Sequence, residues 1–421
     1  MPKHSPDKTF NTKSPSLGGG EGEVLFILQH REEDVRIVAL QAAKNPDIDS
    51  RYVTEQIAGW QKARTKLPAW AAVEGIVYPP QISMEQCSSE TTAHYKTATA
   101  LRWLRFFQPP TLFVDLTGGF GVDHYYLAKA FDNSIYIERQ EALCDTARHN
   151  FNLLGLQHTE VVCGDSTALL PTLPHASLVY ADPARRDTHG ARTYAISDCT
   201  PDVCALLPTI LKQCDILLLK LSPMLDWHQA VAELNSAAEA TVVREVHIVA
   251  TGNECKELLL VLSRQAEGSM MQVTCVNDGQ TFSFTPEDTV ADPHTGGEIL
   301  ADGYLYEPNA AIMKAGCFAE ICRCYKLNAI APNSHLFTGS NRIEDFPGRM
   351  FGIRAVTSMN KQELRAVLQG VTQANITVRN FPMTVAELRK RLKIKDGGDK
   401  YIFATTSADK RHLLLVCDKI G

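Results

Sequence analysis

The sequence predicts an α/β protein with an open, mostly parallel sheet in mid-chain, a small helical region before it and an α+β region after it. Three observations carry this prediction. Thr111 to Asp115 reads as a short buried strand that runs into a loop with glycines at 118, 119 and 121, and a helix starts near Val122. Three more apolar strands follow, Asn133 to Ile137, Thr159 to Cys163 and Ser177 to Ala181, and they end in Glu138, Gly164-Asp165 and Asp182-Pro183. After Phe284 the chain changes to an acidic Pro/Gly loop as far as Gly303, then to mixed helical and strand patterns.

Taken in order, residues 1–22 are rich in Pro, Ser, Lys and Gly and read as a disordered leader without the apolar core of a signal peptide. Residues 23–84 form a helical region. Val35, Val38, Ala39 and Ala42 are spaced by three or four, and Ser50 caps a second helix carrying Val53, Ile57 and Trp60. Lys62, Arg64 and Lys66 fall late in that helix, where cations suit the dipole. Residues 85–280 hold the sheet. Ile216 to Leu221 and Val242 to Ala250 supply a fifth and a sixth strand, while Glu254 to Arg264 fits an antiparallel seventh strand or a helix. Asn277-Asp-Gly-Gln280 reads as a hairpin turn near the domain boundary. In residues 281–421, Met313 to Tyr325 and Lys361 to Gln369 are helical, Asn375 to Arg379 is a strand, Thr384 caps a basic helix to Lys393, and Tyr401 to Thr405 pairs with Leu413 to Cys417.

Strand, glycine loop and helix make a nucleotide-type cofactor loop, because glycines let backbone approach a ligand and the helix start offers unpaired N–H groups. A tight βα turn with no ligand uses the same residues. The strand tips favour the ligand: Glu138 stands seventeen residues past Gly121, where a carboxylate suits two ribose hydroxyls, and the carboxyl ends of parallel strands are where ligands bind.

Composition sets limits. The chain has 421 residues, enough for two or three domains, with 44% hydrophobic and 21% charged residues. No apolar run reaches the ~18 residues of a membrane helix. Twelve scattered cysteines suit reduced thiols in a cytoplasm. Cys317, Cys322 and Cys324 do not follow a zinc spacing and lack a fourth ligand, so no metal is expected. The net charge of −6 argues against a globally basic nucleic-acid binder, yet Arg379 to Arg411 holds nine Lys/Arg against four Asp/Glu, a local +5. Such a stripe can grip a phosphate backbone, or it is a solvated helix face.

DLTGGFGVD from Asp115 resembles the first motif of the class I S-adenosylmethionine-dependent methyltransferases, with Thr117 where a glycine is common. Together with DPARRD from Asp182, SPMLDW from Ser222 and NECKELL from Asn253, it resembles a bacterial methyltransferase group with a C-terminal THUMP-like domain. The likeness runs from about Asp49 onward. It implies a Rossmann-like sheet of seven mostly parallel strands, S-adenosyl-L-methionine as cofactor, and an RNA substrate, tRNA first, gripped through the basic C-terminal stretch. By the same resemblance Thr117, Gly118, Gly119, Phe120 and Gly121 cradle the methionine part, and Asp115 holds its ammonium directly or through water. Glu138 takes the ribose and Asp165 the adenine amino group, with Arg139 and Ser166 beside them. Ser88 or Ser89 is a helix N-cap. Ser88 also stands where related RNA methyltransferases place a Ser/Thr-rich turn over the cofactor.

On the acceptor side the resemblance assigns Asp182 and Pro183. Relatives that methylate exocyclic amines have an aromatic next, whereas here Ala184, Arg185 and Arg186 follow. Arg185 or Arg186 would stack on a base, hold a phosphate, or salt-bridge to Asp187. Carbon-5 pyrimidine methylation needs a cysteine nucleophile, and Cys199, thirteen residues past Arg186, argues against it. The expectation is methylation of a base nitrogen in RNA. The alternatives are the same fold acting on a small molecule or protein, or a binding protein without turnover.

Overall fold

In a computed structural model, residues 19–107, 111–185, 196, 199–265, 270–286, 295, 296, 299 and 301–420 are described. The chain divides into two compact units, one running through Arg185 and including Cys199–Leu219, the other from Lys220 onward. Among the described residues no helix is long and apolar enough to cross a membrane.

The first unit opens with helices Glu21–His30, Val35–Ala42 and Ser50–Lys66, so helix begins inside the expected leader. The third helix is capped by Asp49, not Ser50: its carboxylate accepts the N–H groups of Arg51 and Tyr52, two orphan donors of the first turn. Arg64 pairs with Glu32 at 2.5 Å and lies over the Trp60 ring, while Lys66 donates to the carbonyls of Met84 and Glu85. Those late cations therefore tie the helical region together.

The strands β1 (Leu112–Asp115), β2 (Asn133–Glu138), β3 (Thr159–Cys163) and β4 (Ala176–Ala181) follow, then the two-residue strands β5 (Ala184–Arg185) and β6 (Cys199–Thr200), then β7 (Cys214–Leu221). The main sheet of this unit has the order β7-β4-β1-β2-β3, with every pairing parallel. Every residue of β4 is buried, as a strand covered on both faces requires. Strand order turns back between β1 and β4, so the tips of both strands flank the crevice where open parallel sheets bind ligands.

The second unit begins with four strands, β8 (Val243–Thr251), β9 (Glu254–Leu262), β10 (Gln272–Asn277) and β11 (Gln280–Phe284), in the order β11-β10-β8-β9. The ambiguous apolar run is the antiparallel strand β9, joined to β8 through Gly252 and Asn253, both at positive φ. Seven strands were expected. The main sheet of the first unit has five, and the second unit adds β8, β9, β10 and β11, the last two a hairpin on β8.

Beyond them stand β12 (Tyr304–Pro308), β13 (Asn328–Ala329), β14 (Phe337–Gly339), β15 (Gly348–Ser358), β16 (Asn375–Arg379), β17 (Lys400–Thr406) and β18 (His412–Ile420). They form a seven-stranded sheet ordered β13-β14-β12-β15-β18-β17-β16, antiparallel except at β16–β17. Strand alternation splits its core: Phe403 and Leu415 pack with Leu305 and Phe351, while Ile402 and Leu414 pack with Ile376 and Leu388. The single helix expected over Met313 to Tyr325 is two, Ala310–Ala315 and Phe318–Tyr325, because Gly316 ends the first at φ +71°. Thr384 caps Val385–Leu392 as expected, and Glu387 completes a capping box with it.

Candidate active site

The β1 tip turns inward. Asp115 is 1% exposed; its Oδ1 accepts the Thr117 N–H at 2.9 Å, and its Oδ2 lies 3.6 Å from His124 Nδ1. Burial raises the Asp115 carboxyl against the pull of His124, and burial lowers the His124 imidazole. Asp115 is thus placed to organise the loop from beneath.

The loop glycines have distinct causes. A Cβ on Gly118 would stand 2.3 Å from the Tyr136 ring, and one on Gly121, at φ +84°, would stand 2.7 Å from Phe151. These two serve close packing over β2 and the helix Glu141–Leu153. Gly119, at φ +59°, would meet only the Thr117 carbonyl at 3.7 Å, so backbone conformation selects it. The Gly119 N–H donates to Glu138 Oε2 at 3.0 Å, and its carbonyl accepts the Tyr136 hydroxyl. Phe120 is buried, with its ring 5.0 Å from Trp70 and 6.4 Å from Tyr78. It anchors the loop to the helical region.

Glu138 stands half-buried at the tip of β2 and accepts the Gln140 N–H through Oε1 at 2.9 Å. Arg139 beside it is exposed. Asp165 follows β3 and caps the short helix Ser166–Leu169, accepting the Thr167 N–H and hydroxyl through Oδ1 at 2.9 and 2.8 Å; the backbone N–H first, then the hydroxyl, hold its carboxyl below the usual range. Ser166 is buried.

At β4, the Asp182 N–H donates to Thr117 Oγ1 at 2.6 Å. This accounts for a threonine where a glycine is common, since its hydroxyl ties the tip of β1 to the acceptor-side turn. Pro183 is buried. Arg185 pairs through its backbone with Cys199 across β5–β6, so the sequence distance that argued against a nearby cysteine is spanned by a ladder; Cys199 is 2% exposed. The Arg185 side chain, Arg186 and Asp187 lie outside the described residues.

Ser89 is the cap of Glu90–Leu104, accepting the Thr92 N–H. Ser88 instead joins an ion pair whose lysine is fully buried. Lys96, fully buried, lies 3.3 Å from Asp123 Oδ1 and donates to Ser88 Oγ at 3.1 Å, while Ser88 and Tyr180 both donate to Asp123 Oδ2 at 2.7 Å. Sequence reasoning missed Lys96, Asp123 and Tyr180. Nothing in apolar periodicity marks a lysine that folding will bury, and only the acidic first turn after Gly121 hinted at Asp123.

The crystal structure of a protein from Porphyromonas gingivalis W83, assigned as a methyltransferase, matches 95% of this chain and 98% of its own at 33% identity and a TM-score of 0.80. This chain belongs to that family. Residues 304–347 match a ferredoxin-like domain model, and residues 348–419 a THUMP domain-like model. The chain is therefore a class I methyltransferase with a Rossmann-like sheet and a THUMP-like C-terminal part. More distant likenesses are an rRNA methylase from Streptococcus thermophilus, at 15% identity over 41% of this chain and 96% of that one with a TM-score of 0.30, and a SAM-dependent methyltransferase from Agrobacterium tumefaciens, at 15% over 43% and 64% with 0.32. No curated protein matches the sequence.

Proposed function

We propose that this methyltransferase uses S-adenosylmethionine to methylate a base nitrogen of RNA, tRNA first, in the cytoplasm. The observation that carries the reading is the row of acceptors at the tips of adjacent parallel strands β4, β1, β2 and β3, with Glu138 bonded to the Gly119 amide between them. A ligand rich in hydroxyl and amine donors fits that row. Glu138 keeps lone pairs for a ribose diol beyond its two backbone bonds, and Asp165 can accept an adenine amine beside its capping role. The glycine loop, with Gly119 uncrowded by the chain, borders the methionine part, and Ser88, Phe120, Arg139 and Ser166 frame it. When bound, S-adenosylmethionine supplies an electrophilic methyl group.

Asp182 is the acceptor-side group. Its amide is pinned by Thr117, which sets its carboxylate to accept a hydrogen bond from the target amine, orient the nitrogen lone pair and take up the proton that leaves. Pro183 stiffens the turn, and Arg185 offers a flat guanidinium where relatives stack an aromatic. RNA is gripped by the exposed Lys390, Arg391 and Lys393 at the end of Val385–Leu392. Arg389 is excluded from that role because it donates to Asp396 at 2.6 Å and to the Ala374 carbonyl at 3.2 Å. The test is calorimetry with S-adenosylmethionine, then labelled methyl transfer to bulk tRNA with mass spectrometry of the nucleosides. Absence of cofactor binding would end the reading, and cofactor binding with transfer only to protein or small molecules would redirect it.

A further inference from the structure

Glu307, near the end of β12, is 4% exposed yet serves two cations. Arg349 of β15 donates to its Oε2 through Nε at 2.9 Å and through Nη2, and Arg379, the last residue of β16, donates to Oε1 through Nη2 at 3.0 Å. Neutralising one buried carboxylate takes one arginine, so the second leaves a surplus positive charge. Both guanidiniums also reach past the carboxylate: their side chains are 46% and 34% exposed. Two guanidiniums carry ten N–H donors and the bonds to Glu307 use three. Arg379 Nε is buried and has no hydrogen-bond partner among the described residues. The surplus field is felt nearby, where burial first and the charge of Arg379 second lower the His335 imidazole.

A structural triad would bury both arginines and satisfy their donors, since that is how buried charges are accommodated. Here the carboxylate is buried and the cations are half out, which fixes two planar forks at the surface with one positive charge left uncancelled. Such paired forks match phosphate oxygens. We propose that Arg349 and Arg379, held in place by Glu307, form a phosphate-binding site whose occupant is a backbone phosphate of the RNA. It rests on the RNA reading above and adds a contact separate from the basic helix.

The test is titration of bulk tRNA at several salt concentrations against wild type, R349Q/R379Q and E307Q/R349Q/R379Q; the triple variant leaves no buried charge unpaired should the double fail to fold. The expected result is a roughly tenfold weaker affinity and a salt slope lower by about 0.7 to 0.9 per lost phosphate contact. A folded variant with wild-type affinity and slope overturns the site while leaving the RNA reading intact. If wild type binds no RNA, the RNA reading fails, and inorganic pyrophosphate then decides the site. A thermal shift in wild type that is lost in the triple variant keeps a phosphate site with a free source, and no shift in wild type removes it.

Discussion

Glu138→Gln separates the two duties assigned to this side chain. The carboxylate accepts N–H groups from Gly119 at 3.0 Å and Gln140 at 2.9 Å, one on each oxygen. An amide keeps one oxygen and turns an NH2 group toward the other donor, so one bond is lost and two donors face each other. Hydrogen bonds to a charged group are worth ~1.5 to 3 kcal/mol, and because Glu138 is half-exposed the cost to the loop should fall near the low end. A ribose diol bound to the same carboxylate would lose charge-assisted bonds of the same size, weakening S-adenosylmethionine by about 10- to 150-fold. Calorimetry gives the affinity and a melting curve gives the loop cost. Asp182→Ala is the control, expected to leave cofactor affinity largely unchanged. A lowered melting temperature with unchanged cofactor affinity would refute the reasoning, because Glu138 would then only brace the glycine loop.

Asp182→Asn, which keeps an acceptor oxygen, should retain part of the methyl transfer to tRNA, whereas Asp182→Ala should abolish it; full activity in the alanine variant would remove the acceptor-side role. Lys390, Arg391 and Lys393 changed together to Ala should weaken tRNA binding and lower its salt slope by about 0.7 to 0.9 per lost contact, with Arg389 left in place; an unchanged slope would make the stripe a solvated face. Lys96→Met leaves Asp123, whose side chain is 11% exposed and still bonded by Ser88 and Tyr180, without its cation and should cost at most the low end of ~3 to 5 kcal/mol in chemical denaturation, so wild-type stability would show that the ion pair holds nothing. Asp418 is held below the usual carboxylate range by the Lys400 hydrogen bond first and Arg354 second. A depressed acid stabilises above its unfolded value of 3.8 and loses that contribution as pH falls through its folded value, so the melting-temperature gap between wild type and Asp418→Asn should be present at neutral pH and close in acid.

The sheet was legible because buried parallel strands are written as unbroken apolar runs and their ends as polar punctuation. Thr159 to Cys163 needed no adjustment, and the start of the helix at Val122 followed from the glycines. Local chemistry was legible where it is local, as in the Thr384 cap of the helix Val385–Leu392. It failed where two neighbours compete for one cap: Asp49 took the cap from Ser50, and a carboxylate offers the stronger acceptor. Strand β15 was missed altogether, since its glycines and arginines break the alternation that a sequence reader counts, and only its pairing with β12 and β18 makes it a strand.

The site shows the same division more sharply. Four strand-tip acids can be picked from spacing alone, but what each does depends on partners far away in sequence. Thr117 departs from the motif's common glycine because its hydroxyl accepts the Asp182 amide, 65 residues on. Ser88 stands in the sequence as a cover for the cofactor, and the fold adds a second duty, since its hydroxyl is bonded into the Lys96–Asp123 pair. Cys199 was set aside on distance along the chain, and the ladder with Arg185 cancels that distance. Each case pairs a residue of ordinary appearance with a partner that only the tertiary fold supplies. The variants that discriminate best are therefore those that break such a link while sparing the acid itself. Thr117→Val, close to the same shape without the acceptor, should lower methyl transfer by loosening Asp182 while cofactor affinity holds; loss of cofactor affinity in that variant would instead place Thr117 on the cofactor side of the loop.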